Sequence, residues 1–189
     1  MKTLMKRMAM AALLAHLAVS NVFAENRSTD IRMTAAGTMT ATTINLGDNT
    51  ITDDEDLAGD GTLGVFTFHG LRADGLAPQV PVPPNTCATP LFFPVTNGAG
   101  VFRFDDGSLL VVNITGGGIC IDLAAGMAQL TETYEIARGT GRFKRAAGTL
   151  QLAVTVRPVL FNAEGGAQML TMAGKFEGTV SGISRDRDR

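Results

Sequence analysis

Apolar and polar positions alternate with period 2 along much of the chain, and no long stripe with the 3.6-residue period of a helix accompanies them. The pattern is clearest over Thr149–Arg157. There Leu150, Leu152, Val154 and Val156 share one face, and Thr149, Gln151, Thr155 and Arg157 share the other. Ser108–Thr115 places Leu110, Val112 and Ile114 together. Near the C-terminus Met172, Phe176 and Val180 alternate with Lys175, Glu177 and Thr179, with glycines at 174, 178 and 182 on the apolar side. Further strands are predicted over Thr38–Leu46, Thr62–Leu71, Gly100–Asp105, Ile119–Leu123 and Met127–Ala137, which brings the total to about eight. Turn signals such as Asp106-Gly107 and Gly116-Gly117-Gly118 separate them. Antiparallel strands with one apolar face must close on themselves or on a second sheet. Glycines inside strands mark the bulges and coiling that small barrels need. The expectation is one all-β domain, a single eight-stranded antiparallel β-barrel over residues 25–184. Its interior is either filled by side chains or holds one small ligand.

Two stretches interrupt the alternation. Asp48–Gly61, DNTITDDEDLAGDG, reads as an acidic loop. Leu76–Pro94 holds six of the seven prolines, which excludes a central strand and favours extended backbone on the surface. It also carries Cys87 and the apolar Leu91-Phe92-Phe93, and suits a lid over one barrel mouth.

Charge and composition then set the compartment. Lys2, Lys6 and Arg7 precede an apolar run from Met8 to Val19, and Val22-Phe23-Ala24 places small or apolar residues at a cleavage site. Residues 1–24 read as a signal peptide cleaved near Ala24, with an N-terminal membrane anchor as the alternative. The product is expected to be secreted or periplasmic. Of the 189 residues, those after Ala24 carry 13 basic and 18 acidic side chains. That balance gives no reason to expect nucleic acid or an anionic membrane as partner, and no later segment is apolar enough to insert in a bilayer. Cys87 and Cys120 read as a disulfide in an oxidising compartment, with two buried thiols as the alternative. No metal is expected. His69 is the one histidine after the leader, nothing has zinc-ligand spacing, and the acidic stretch lacks the spacing of a calcium loop. Residues 185–189 form a charged C-terminal tail.

Residues 136–150, IARGTGRFKRAAGTL, look at first like a phosphate-binding loop. Lys144 stands where a third glycine should fall, and a strand follows where a helix is required. Gly139, Gly141 and Gly148 instead suit a tight turn between antiparallel strands through positive φ, with Phe143 folding inward as a plug. Strand, ARGTGRFKRAAG (137–148), strand resembles the signature of the allene oxide cyclase-like and dirigent β-barrel superfamily. Gly174–Gly182 is similar to that family's closing strand. The resemblance covers roughly residues 100–184. It implies a small closed barrel, a homotrimer, and an apolar cavity in which a hydrophobic substrate is cyclised or coupled without a cofactor. The acid that dirigent proteins place after G-T-G is replaced by Arg142, and their Arg before the last glycine by Ala147. No catalytic residue is carried across.

Candidates from the residues themselves are three. Glu132 shares a face with Leu130 and Tyr134; a carboxyl there is a candidate general acid or base, an outward charge near a rim, or the internal partner of an Arg. Tyr134 either presents its hydroxyl to a cavity or packs in the core. His69 is a candidate proton shuttle or a surface residue. Phe66, Phe68, Phe92 and Phe93 are the candidate lining of a ligand cavity. Two functions fit. One is an exported barrel that binds a small hydrophobic molecule and directs its cyclisation or coupling. The other is a non-enzymatic exported structural or interaction module with a packed interior.

Overall fold

A computed structural model describes residues 28–184 apart from Asp48 and Pro84. The expected leader at 1–24 and the charged tail at 185–189 lie outside the described residues. Eight strands follow one another: β1 (Thr29–Thr42), β2 (Thr50–Gly61), β3 (Phe66–Gly75), β4 (Phe92–Phe104), β5 (Leu109–Asp122), β6 (Met127–Gly139), β7 (Ala147–Phe161) and β8 (Ala167–Ser181). Each pairs antiparallel with the next. β8 returns to β1, with Thr29 opposite Val180 and Thr40 opposite Met169, so the sheet closes into the expected eight-stranded barrel. The alternation produces this closure directly. Leu150, Leu152, Val154 and Val156 of β7 are all buried, and Leu130, Tyr134, Met172, Phe176 and Val180 meet them in the interior.

Four local expectations are corrected. The acidic stretch is not a loop: residues 50–61 form β2, with Asp53, Glu55 and Leu57 facing inward. Gly116-Gly117-Gly118 does not separate two strands. It lies in the long β5, where the register against β6 shifts between Ile114 and Gly116. An added Cβ at Gly117 would sit 2.1 Å from the carbonyl oxygen of Thr131, so the glycines permit a bulge and close approach rather than a reversal. β1 starts at Thr29, nine residues before the expected Thr38. Phe92 and Phe93 open β4, leaving residues 76–91 as the proline-rich connection.

The turn after β6 is a short 3-10 segment, Gly141–Phe143, and Phe143 is fully buried as a plug. Gly141 and Gly148 adopt positive φ, at 56° and 144°, but Gly139 does not. Its constraint is steric, since a Cβ there would lie 2.4 Å from the Phe143 carbonyl oxygen. Cys87 and Cys120 are joined with their Cα atoms 5.5 Å apart, which staples the proline-rich connection to β5. Among the described residues no helix is long and apolar enough to cross a membrane.

Candidate functional site

The barrel interior has two unlike halves. At the end where β3 begins and β4 ends, Phe66, Phe68, Phe102, Phe104, Phe143 and Phe176 pack with ring centroids 4.7–6.2 Å apart. Gly100 makes room for this floor: an added Cβ would come within 2.3 Å of the Phe68 ring. Arg142 covers it from outside, 4.6 Å from the Phe143 centroid and paired with Asp106 at 3.1 Å.

Above the aromatic floor the inward positions turn polar. Arg72 of β3 is 1% exposed and faces four carboxyls. Its Nη2 lies 2.9 Å from Asp74 and 3.3 Å from Asp53, Nε lies 3.4 Å from Glu55, and Nη1 lies 3.4 Å from Glu132. Tyr134 donates its hydroxyl to the other oxygen of Glu132, while its ring stands 5.8 Å from Phe68 and joins the two halves. Register explains the assembly. Asp53 is directly opposite Arg72, Glu55 is two residues along β2, and Glu132 and Tyr134 come from β6 across the barrel.

One guanidinium cannot neutralise four buried carboxylates, so protons are retained. Burial pushes Asp74 up to about 7 against the lowering effect of Arg72, with the Asp53 and Glu132 charges adding to the rise. Burial and the Glu132 charge hold Glu55 well above the usual carboxylate range, opposed by Arg72. Burial also raises Glu132, although Arg72 and the Tyr134 hydroxyl favour its ionised form. Tyr134 is raised by burial and then by Glu132, so its hydroxyl stays protonated. For Arg72 burial disfavours the charge, yet the carboxylates, Asp74 foremost, hold it above its ordinary value. Glu55 Oε1, Arg72 Nε and Asp74 Oδ1 are buried without a hydrogen bond. The arrangement can hold and release a proton near neutrality out of contact with bulk water.

The structure brings Glu132 and Tyr134 together, with Glu132 as the internal partner of an arginine. It does not bring His69 to them. That ring is on the outer face of β3, beside Asp54 and Asp56. Phe66 and Phe68 lie in the aromatic floor. Phe92 is buried and Phe93 half-buried at the start of β4, near the stapled connection. Sequence reasoning missed Arg72 and Asp74, and took Asp53 and Glu55 only as carboxylates of a solvated acidic loop. Extending the parity of Phe66 and Phe68 by three more steps passes Gly70 and reaches Arg72 and then Asp74.

Among the described residues, open surface clefts such as one of about 470 Å³ beside Phe66 and Phe104 are not lined by members of the Arg72 cluster. The connections at the Arg72 end carry exposed apolar side chains: Ile44 and Leu46 after β1, Val80 and Val82 after β3, Leu123 after β5, and Phe161 at the end of β7.

No protein-family model matches the chain, and no curated protein matches its sequence. Among solved structures it is similar to the pterocarpan synthase dirigent protein PsPTS1, at 12% identity and a TM-score of 0.47, covering 86% of this chain and 100% of that one. It is also similar to the pterocarpan synthase dirigent protein GePTS1, at 12% identity and a TM-score of 0.46, covering 88% of this chain and 94% of that one.

Proposed function

We propose that the chain is exported, and that its barrel receives a small, mainly apolar molecule at the Arg72 end and directs its cyclisation or coupling without a cofactor. The observation that carries this reading is the buried cluster of Arg72, Asp53, Glu55, Asp74 and Glu132. Apolar side chains of similar volume would stabilise a barrel interior as well or better, so such a cluster is a candidate for chemistry rather than for stability. A carboxyl titrating near 7 suits general acid or base work on a bound substrate. Walls of fixed shape would hold the ligand in a reactive conformer, which needs few polar groups. The apolar side chains on the connections around that end favour a hydrophobic guest over a charged one. The Cys87–Cys120 bond favours an oxidising compartment. A homotrimer belongs to the same proposal.

The filled aromatic floor favours a second reading, a packed structural or interaction module with no guest. Native mass spectrometry of the mature protein from its own host, followed by solvent extraction, separates the two. The first reading expects a small apolar mass to leave the protein on extraction and a trimer peak. A bare protein mass from both the wild type and Asp74→Asn would replace it by the second.

A further inference from the structure

Independently of the interior, we infer that the outer face of β2 and β3 holds a divalent first-row transition ion of the zinc type, ligated by Asp54, Asp56 and His69. Asp54 and Asp56 are two apart on β2 and so share its outer face, and His69 of β3 is the register partner of Asp56. His69 Nδ1 lies 2.9 Å from Asp56 Oδ1 and 3.4 Å from Asp54 Oδ1, and one donor atom from each residue falls within 4.8 Å of the others. Ligands at zinc-type distances of about 2.0–2.1 Å are separated by about 2.9 Å in octahedral and about 3.3 Å in tetrahedral arrangements. The two contacts to the histidine span that range, and an ion would take the place of the hydrogen bond between His69 Nδ1 and Asp56 Oδ1.

Two further observations point to a cation rather than to a surface ion pair alone. Asp54 Oδ1 is out of contact with solvent and makes no hydrogen bond; the His69 ring nitrogen 3.4 Å away is its ion-pair partner when protonated, and the side chain as a whole is partly exposed. Directly opposite the two carboxylates and the histidine stand Thr40, Thr38, Leu71 and Val101, so His69 is the sole basic side chain directly across from either acid. The chemistry of the set selects the ion. An imidazole nitrogen with two carboxylate oxygens suits zinc, manganese or iron, whereas calcium would want oxygen ligands throughout. Three protein ligands leave the remaining positions to water or to an incoming group. The set has no linear motif because its members come from paired strands.

Isothermal titration calorimetry of the full chain with zinc chloride, after treatment with a chelator, tests the site. The expected result is one equivalent bound, weakened at least roughly tenfold in His69→Gln, with calcium binding far more weakly. His69 is exposed, so its variant should melt with the wild type in the presence of chelator. If it does not, the equally exposed Asp56→Asn takes its place. No saturable binding up to about millimolar zinc, binding within roughly twofold of wild type in the variant, or calcium bound as tightly as zinc would each overturn the assignment.

Discussion

The two halves of the barrel interior are built on the same backbone rule and obey opposite energetics. In both, every second residue of a strand points inward. At the Phe143 end those positions hold five phenylalanines, the turn after β6 adds Phe143, and the rings contact one another, so burial and packing act together. At the Arg72 end they hold a guanidinium and four carboxyls at 2.9–3.4 Å, with three polar atoms left without a hydrogen bond. Desolvation there opposes the attraction between the charges. The difference teaches that a closed barrel separates its tasks along its axis. One end supplies stability and fixes the wall positions, which lets the other end keep groups that would not persist in a less rigid setting.

Two substitutions probe the contrast most strongly. Phe102→Ala is expected to lose about 3–5 kcal/mol in denaturant unfolding, by the same amount at about pH 5 and about pH 8, since only apolar packing is removed. Arg72→Met should lose about 3–5 kcal/mol at about pH 8, where it strands buried negative charge, and clearly less at about pH 5, where the carboxyls take up protons. A loss in Arg72→Met that does not change with pH would break the distinction between the halves.

The wild-type pH profile is the next test. Asp74 titrates at about 7 in the folded protein against an ordinary 3.8, so between those values the folded state holds the extra proton. The contribution of this group to stability is therefore greatest below about pH 4 and falls as the pH rises toward about 7. The slope is about 1.4 kcal/mol per pH unit for each proton involved. Glu55 and Glu132 are raised in the same sense and add to the fall. Asp74→Asn should flatten this profile and raise the melting temperature at about pH 8. A stability that rises from about pH 5 to about pH 8 would show that the carboxylates are satisfied rather than stranded.

The smallest effect belongs to the turn that seats the plug. Gly141→Ala forces a side chain into φ 56° and places its Cβ 2.3 Å from Ser108 Oγ, for an expected loss of about 1 kcal/mol or more. Gly116→Ala, in β5 with open space around the new Cβ, should stay within about 0.5 kcal/mol. Equal melting of both variants and the wild type would show that the plug does not depend on its turn.

The barrel class was legible because long stretches of β6, β7 and β8 alternate apolar and polar residues, clearest over Thr149–Arg157. Glu132 and Tyr134 could be picked out for the same reason, since they fall on the inward parity of β6. β2 was not legible as a strand. Its inward positions at 53 and 55 are acidic, and acidic side chains on both faces resemble a solvated loop until a partner such as Arg72 is supplied from the next strand. β3 was ended at Leu71, one residue short of that partner. His69 stayed a candidate because the sequence does not say which face of β3 is interior; once Phe66 and Phe68 are seen to point inward, parity puts it outside. The glycine run at 116–118 carries one signal for two outcomes, a reversal or a bulge, and the length of β6 opposite decides between them.

Closure of the sheet by β1 and β8 also sets a schedule for folding. Thr29 hydrogen-bonds across to the strand that contains Val180, so the first strand has one of its two neighbours only when nearly the whole chain exists. Hairpins from β1 to β7 can form in order, but until β8 arrives both β1 and β7 expose an unpaired edge, and the interior that holds Arg72 is open to water. Barrel formation is thus expected to be a late, slow and all-or-none event, governed by the joining of the most distant segments of the chain. A chain cut short before β8 would retain hairpins but no interior, and hence neither an aromatic floor nor a place to bury a charge.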